Sequence, residues 1–442
     1  MAYSGKKNHS IAQQKTVGST PDTPESGYSK LYPKSDGCWY YLDDSGVEHS
    51  VGGGGGSSLF AEGTGTGSTY RMSNNNCCSP LGNYSTISGG KDHYACDSYA
   101  TIGGGTCNTI CGPSGCSTIG GGAYNKSLGC GSTIGGGIYN LATGLAATVG
   151  GGCCNTSTGN NCTPSTISGG YRNTASGDYT TVGGGRQNTA SGPGSTISGG
   201  TFNIAAGIGS TVSGGEYNSA NSCGSHSTVG GGLCNAATSS YSTVNGGYLN
   251  SAVQAYSIIG GGYCNRSCGS NSTIGGGSRN TISICGNDST ISGGYLNSTT
   301  VSTSTISGGY NNTISGATSV IGGGYKNTVS CGMSSILGGS YNIASSCGAT
   351  VGGGMCNTAS SYCSFVGGGF SNTANGMGSA ILGGTCNITN NFCRVMIVGD
   401  NISANRGNTT FVNNLSIMSV PTSSAGLPAG SVWSDSCVLK IV

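Results

Sequence analysis

A short motif recurs along most of this chain at a nearly fixed spacing. One copy, residues 165–177, has the sequence STISGGYRNTASG. With Ile167 taken as the anchor, 22 copies run from residue 68 to residue 400, and most anchors lie 15 residues apart. A short fixed period predicts a repeat architecture in which each copy forms one coil and stacks on the next.

The anchor is Ile or Val in nearly every copy, and a small residue precedes it by two positions, as Ser165 does before Ile167. Residues two apart in a strand point to the same side, so both are predicted to point inward and the residue between them outward. The predicted repeat core is Ile87, Ile102, Ile119, Ile134, Val149, Ile167, Val182, Ile197, Val212, Val229, Val244, Ile259, Ile274, Ile291, Ile306, Ile321, Ile336, Val351, Val366 and Ile381.

Two glycines and an asparagine follow the anchor. The glycines, Gly169 and Gly170 in the copy above, permit positive φ and predict a corner. The asparagine occurs in 20 of 22 copies, with His93 and Ser403 in its place in the others. We expect it to occupy the left-handed region and to bond its amide to backbone or to the Asn of the next coil. The predicted corner column includes Asn108, Asn125, Asn140, Asn155, Asn173, Asn188, Asn203 and Asn218.

A second small inward position follows, as at Ala175, so each coil holds two very short strands and two turns. The predicted fold class is therefore all-β, a parallel β-solenoid with coils of about 15 residues. Helix is disfavoured because 88 of 442 residues are glycine and each costs about 1 kcal/mol inside a helix. The composition, dominated by Gly, Ser, Thr and Asn, would also suit disorder, but the strict Ile/Val column argues against it. Because such a coil buries little apolar surface, we expect a closed symmetric oligomer.

The repeat resembles the head repeats of trimeric autotransporter adhesins, and similar repeats occur in bacteriophage fibres. The resemblance covers residues 68–400 and implies a left-handed β-roll that trimerises along a shared axis. The closing residues 423–442 resemble the C-terminal ends of phage virion and fibre proteins, where a Leu-Pro-x-Gly turn leads into two short strands. The polar start, residues 1–20, does not predict a secretion signal, and we recognise no adhesin-type membrane anchor. The resemblance therefore favours the phage group.

Four regions are predicted. Residues 1–50 form an N-terminal attachment arm with a β-hairpin module over 31–48, and residues 51–67 form a glycine-rich hinge. Residues 68–400 form the repeat β-roll shaft, and residues 401–442 form a C-terminal β tip. The two ends are thus expected to be small β caps on the solenoid.

The chain has 23 cysteines. Stacked coils bring equivalent positions within disulfide reach, and many cysteines precede an anchor in the return turn, as Cys331 and Cys347 do. Free thiols at tolerant turn positions are the alternative. Metal binding is disfavoured because no Cys-x-x-Cys pair recurs with histidine partners. The candidate disulfide residues are Cys107, Cys154, Cys234, Cys264, Cys356 and Cys386.

Two outward columns are candidates for binding. A threonine ladder before the anchors could bind ice, although β-propensity explains it equally. Tyrosines follow the glycine pair, and their rings would stack on sugar faces or pack between subunits. The candidate surface-binding residues are Tyr171, Tyr248, Tyr263, Tyr295, Tyr310 and Tyr325.

No catalytic constellation is recognised, so we expect neither enzymatic activity nor a cofactor. The histidines are scattered, and His93 and His226 are interpreted as surface turn residues. The net charge of +2 gives no electrostatic reason to expect a nucleic-acid partner. Because the sequence has no apolar run long enough to span a membrane, we expect no membrane insertion. The favoured hypothesis is a non-enzymatic homotrimeric virion fibre that is extracellular after release. Its partners would be itself, a virion attachment protein and a host cell-surface glycan or protein. The alternatives are a cell-surface adhesin or polymerising extracellular filament, and an ice-binding solenoid.

Overall fold

The computed structural model divides into two compact units, residues 1–202 and residues 203–442, and each is described by itself. Both units are all-β, and no helix occurs in the part of the chain that is described. The described residues are 30–33, 39–42, 45–51, 61–62, 66, 68–70, 79–112, 115–159, 163–221, 223–414, 420–429, 431–435 and 438–441.

The described termini form small antiparallel elements. Strands Lys30–Pro33, Trp39–Leu42 and Glu48–Val51 make a three-stranded sheet, which confirms the predicted hairpin and adds a strand to it. At the other end Val432–Asp435 and Val438–Ile441 form a hairpin, as the Leu-Pro-x-Gly ending predicts. Most of the predicted N-terminal arm and of the glycine-rich hinge lies outside the described residues.

The anchor residues lie in short parallel strands that form the first face of the solenoid in each unit. At its N-terminal end Thr69–Tyr70 also pairs antiparallel with Ala61–Glu62. In the first unit the strands are Thr69–Tyr70, Thr86–Ile87, Thr101–Ile102, Thr118–Ile119, Thr133–Ile134, Thr148–Val149, Thr166–Ile167, Thr181–Val182 and Thr196–Ile197. In the second unit they are Thr211–Val212, Thr228–Val229, Thr243–Val244, Ile258–Ile259, Thr273–Ile274, Thr290–Ile291, Thr305–Ile306, Val320–Ile321, Ser335–Ile336, Thr350–Val351, Phe365–Val366, Ala380–Ile381, Met396–Val398 and Thr410–Val412.

The second face carries the other inward position of each coil. In the first unit its strands are Ser79–Pro80, Tyr94–Ala95, Thr109–Ile110, Lys126–Ser127, Leu141–Ala142, Thr156–Ser157, Thr174–Ala175 and Thr189–Ala190. In the second unit they are Ile204–Ala205, Ser219–Ala220, Ala236–Ala237, Ser251–Ala252, Arg266–Ser267, Thr281–Ile282, Ser298–Thr299, Thr313–Ile314, Thr328–Val329, Ile343–Ala344, Thr358–Ala359 and Thr373–Ala374.

The core lies between the two faces and is narrow. All twenty predicted core anchors are fully buried, and so are the second inward positions such as Ala175 and Ile314. The register pairs each anchor with the anchor of the next coil, as Ile291 pairs with Ile306. The predicted inward and outward alternation is therefore confirmed, and so is the parallel β-solenoid class.

The asparagine column is buried too, and its backbone differs from the prediction. Asn173 and its equivalents are not in the left-handed region; the residue before each Asn is, as Arg172 is with φ 53°. The buried amide instead links its own coil to the next one. Asn173 Nδ2 donates to the carbonyls of Gly169 and Gly185, and its Oδ1 accepts from the backbone N–H of Asn188. The expected amide bonding is confirmed, and the left-handed assignment of the asparagine is wrong.

The first face extends one strand further than the repeat predicts. Thr410–Val412 pairs parallel with Met396–Val398, so the stacking continues past residue 400 although the glycine and asparagine signature has ended. Trimer formation and the left-handed sense of the coils remain predictions.

Candidate functional site

A third column runs along the corner that follows each glycine pair. Its residues form single parallel bridges from coil to coil, with Tyr295 paired to Tyr310 and Tyr310 to Tyr325. The next residue in each coil has a left-handed backbone, as Lys326 has at φ 52° and Tyr341 at φ 55°. The backbone therefore presents two adjacent outward side chains at each coil. From the sequence, these two positions were predicted as a single column of tyrosines.

Five of the six predicted binding tyrosines lie in the second unit, where Tyr248 packs on Tyr263 and, beyond Ser278, Tyr310 packs between Tyr295 and Tyr325. The ring centroids are 5.4 Å apart for Tyr248 and Tyr263, 5.2 Å for Tyr295 and Tyr310, and 5.0 Å for Tyr310 and Tyr325. Their planes differ by no more than 31°. We call Tyr248, Tyr263, Tyr295, Tyr310 and Tyr325 the aromatic row.

The stacking decides what the aromatic row offers to a ligand. Both faces of Tyr310 are turned toward its neighbours Tyr295 and Tyr325, so its exposed part is the ring edge with the hydroxyl group. Stacking of sugar rings on tyrosine faces, the predicted binding mode, is therefore restricted to the ends of each stack. The row is instead a line of phenolic hydroxyl groups at coil spacing, which suits hydrogen bonding.

Two cations border the aromatic row. Arg279 lies 5.9 Å from the Tyr263 ring centroid and donates from Nη1 to the Tyr295 hydroxyl at 3.2 Å. Lys326 lies 5.2 Å from the ring of Tyr325 and 5.5 Å from that of Tyr341. Hydrogen bonds from Tyr341 and then from Lys326 lower the pKa of Tyr325, and the bond with Tyr325 raises the pKa of Lys326. The row thus combines hydroxyl groups with positive charge.

Tyr171, the sixth predicted residue, lies in the first unit without a stacked tyrosine neighbour in its column. Its bridge partners are Cys153 and Arg186. The guanidinium groups of Arg172 and Arg186 lie 5.1 Å and 5.9 Å from its ring centroid. Tyr171 therefore repeats the aromatic and cationic pairing but not the row.

A second set of aromatic stacks lies at another corner and was missed. His226 stacks on Tyr241 at 5.2 Å, and Tyr241 stacks on Tyr256 at 5.0 Å. All three residues have φ near 55° and lie three residues before their anchors. The signal was present in the sequence, since these aromatic residues recur at the repeat spacing.

His93 is placed differently from the prediction. It is fully buried and continues the asparagine column, with Nδ1 accepting the backbone N–H of Asn108 at 3.1 Å. Its Nε2 is buried with no hydrogen-bond partner among the described residues, and burial lowers its pKa below the ordinary 6.5. Its interpretation as a surface turn residue is wrong, whereas His226 is exposed as expected.

Among the described residues two disulfides join consecutive coils, Cys96 to Cys111 and Cys331 to Cys347, with Cα–Cα distances of 4.8 and 5.0 Å. The second joins cysteines of two successive return turns. All six candidate disulfide residues, by contrast, are free thiols. The reason is visible in the sequence. All six directly precede the corner residue Asn, and no two consecutive coils carry cysteine at that position. The coils before and after that of Cys264, for example, carry Leu249 and Arg279 there. Positions two coils apart are about 10 Å apart, beyond disulfide reach.

Within the described ranges no three His, Cys, Asp or Glu side chains are grouped so that they could hold a metal ion. The same part of the chain contains no helix of the length and apolar character that a membrane span needs. No protein-family model matches the chain, and a search of curated proteins found no match.

Proposed function

We propose that this protein is a non-enzymatic virion fibre, a homotrimeric spacer that attaches to the particle through its N-terminal region and contacts the host surface. The observation that carries the proposal is the unbroken stacking of coils within each unit. Most coils are bonded to the next through two strands, a bridge and a buried amide, as at Asn173 and Asn188. Such a structure supplies stiffness and reach, the properties a spacer needs.

The aromatic row supports a contact with a surface rather than with a small molecule. Its hydroxyl groups follow the stacking direction along an exposed corner of the solenoid. With Arg279 and Lys326 beside it, the line suits an extended partner that carries hydroxyl and acidic groups. A glycan of the host envelope has this chemistry.

Localisation of the native protein tests the proposal. Gold-conjugated antibodies against the full chain should label projections on free virus particles, and label should vanish when the antibody is first saturated with purified protein. Label confined to cell envelopes would instead establish the adhesin or filament alternative. Label found only inside intact cells, with none on particles, would overturn both.

Binding to host cells tests the role of the aromatic row. A Tyr310→Ala/Tyr325→Ala variant should bind cells at least about tenfold more weakly than the parent protein, since each lost aromatic contact is worth about 1 kcal/mol. Tyr241→Ala/Tyr256→Ala is the matched control, because it removes a similar stack from the other corner. Equal loss in both variants would contradict a specific role for the row.

A further inference from the structure

The outer side of the first face in the second unit is uncharged. The residues immediately before and after each buried anchor point outward, and we call these two columns the leading and the trailing column. From Thr211 to Val412 neither column contains a charged residue. Interfaces between subunits are depleted of charge at their centres in the same way, whereas exposed protein surface is not.

The C-terminal part of this face also exposes large apolar side chains. Val320 and Phe365 in the leading column are 40% and 38% exposed, and Leu337 and Leu382 in the trailing column are 64% and 50% exposed. Exposed apolar side chains grouped on one face of a soluble protein mark a contact surface.

The bulky residues alternate between the two columns. In the five coils from Val320 to Leu382, a large side chain in one column lies beside a small residue in the other, whereas Met396 and Val398 in the next coil are both large. Phe365 shows the effect directly, because its ring lies 3.4 Å from the place where a Cβ on Gly367 would be. The five consecutive leading and trailing pairs are Val320 with Gly322, Ser335 with Leu337, Thr350 with Gly352, Phe365 with Gly367, and Ala380 with Leu382.

We infer that this face is where copies of the chain pack side by side, parallel and in register, with the leading column of one copy against the trailing column of the next. Rotation about an axis along the stacking direction brings those two columns together at the same coil. Each bulky side chain then meets a small residue of its neighbour: Phe365 meets Gly367, and Leu337 meets Ser335. This alternation gives the complementary surfaces that close packing requires.

An antiparallel arrangement centred on the coil of Val351 would also match large with small, setting Phe365 against Ser335. The extent of the face decides between the two. The five-coil patch is only about 25 Å long at about 4.8 Å per coil. The area of so short a patch falls below the roughly 800 Å² per partner that a stable interface buries. Parallel copies in register cover the whole uncharged face of fourteen strands, whereas the antiparallel arrangement leaves its N-terminal strands uncovered. The area favours the parallel arrangement.

The inference rests on the self-association in the proposed function and assigns it to particular residues. It leaves the aromatic row free, because that row lies beyond the glycine corner. The number of copies is a separate question, since the same columns meet in a two-fold or a three-fold assembly about such an axis.

Mass photometry of the full chain with Leu337→Glu/Leu382→Glu tests the surface. The parent should be an oligomer, and the variant should dissociate with an affinity at least about 100-fold weaker, because two charges per copy are buried without partners. Ile343→Glu is the control: it lies on the second face, is 40% exposed, and should leave the oligomer intact. Circular dichroism of all forms should show the same β signal. A monomeric parent, or a variant as oligomeric as the control, overturns the inference.

A photoreactive benzoylphenylalanine in place of Phe365 tests the register. Irradiation should yield covalent oligomers on a reducing denaturing gel, with the new bond near Gly367 of another copy. A bond near Ser335 would establish the antiparallel arrangement and overturn the inference. A parallel dimer would overturn the trimer of the proposed function and leave the inference standing. Absence of label on virus particles bears on the proposed function alone.

Discussion

The backbone N–H of Asn327 donates to the Oδ1 atom of Asn312, one coil earlier, across 3.0 Å. Asn312 in turn donates its own backbone N–H to Oδ1 of Asn297 and bonds the carbonyls of Gly308 and Gly324 through Nδ2. One buried side chain thus satisfies three backbone groups, one in its own coil and two in the next, and the backbone N–H of the same residue reaches the coil before. In a core built mainly from Ser, Ala, Ile and Val, this amide column supplies directional bonding that apolar contacts lack.

Asn312→Ala should destabilise the protein by about 3 kcal/mol, since it leaves several buried backbone groups unpaired and each costs about 1–3 kcal/mol. Chemical denaturation monitored by circular dichroism measures the change in the free energy of unfolding. Thr313→Ala is the control, because its side chain points outward and its loss should cost less than about 0.5 kcal/mol. Similar losses for both substitutions would show that the amide column is not what holds the coils together.

The two glycines of each corner should respond differently to substitution. Gly339 has φ 84°, and a Cβ there would overlap the carbonyl of Gly354 and approach Nδ2 of Asn342 to 2.6 Å. A Cβ on its neighbour Gly338 would meet nothing within 4 Å. Gly339→Ala should therefore lower the free energy of unfolding by more than about 2 kcal/mol, and Gly338→Ala by less than about 0.5 kcal/mol. Thermal unfolding compares them, and equal effects would contradict the predicted corner contact.

The period alone predicted the main part of the fold because every coil repeats the same physical requirements. Ile167 and its equivalents are buried because alternate residues of a strand point to the same side, and the glycine pair turns the corner. The asparagine was harder, because left-handed backbone and buried amide bonding both favour Asn at a corner. In the structure the Asn173 side chain is buried and makes the amide bonds, and the preceding residue, Arg172, has the left-handed backbone.

The candidate site was only partly predictable. The tyrosine positions follow from the repeat, but the sequence did not show that Tyr310 has a ring on both faces, which depends on the orientation of neighbouring side chains. Arg279 and Lys326 were missed because a basic residue occupies their position in only three coils, at Arg172, Arg279 and Lys326, so no continuous column marks them. The absence of disulfides at Cys107 and its equivalents was predictable, since a partner must lie one coil away.

The free thiols should differ in reactivity according to their place in the coil. Cys264 lies exposed at the outer corner, whereas Cys268 is buried on the second face and burial raises its pKa. The thiolate is the reactive form, so native Cys264 should react with a maleimide at least about tenfold faster than Cys268. Peptide mass spectrometry after brief labelling measures both rates in one sample. Labelling of the unfolded protein is the control and should nearly remove the difference.

The solenoid should lose stability in mild acid through His93. Its pKa is lowered in the folded protein by burial, so the folded state binds its proton less readily than the unfolded state does. Below the ordinary value of 6.5 the unfolded state therefore takes up more protons, and this contribution to stability is lost as the pH falls. Protonation of Nδ1 would also remove the acceptor for the backbone N–H of Asn108.

His93→Asn should remove this pH dependence, because it restores the residue found in the neighbouring coils. The new amide would also bond the carbonyls on either side as Asn108 does with Gly104 and Gly122, and should stabilise the protein by about 1 kcal/mol at neutral pH. Thermal unfolding at pH 7.5 and at pH 5.0 measures both effects. His226→Asn is the control, since that histidine is exposed and lies outside the asparagine column. If the His93→Asn variant keeps the acid sensitivity of the parent, the loss arises from other groups.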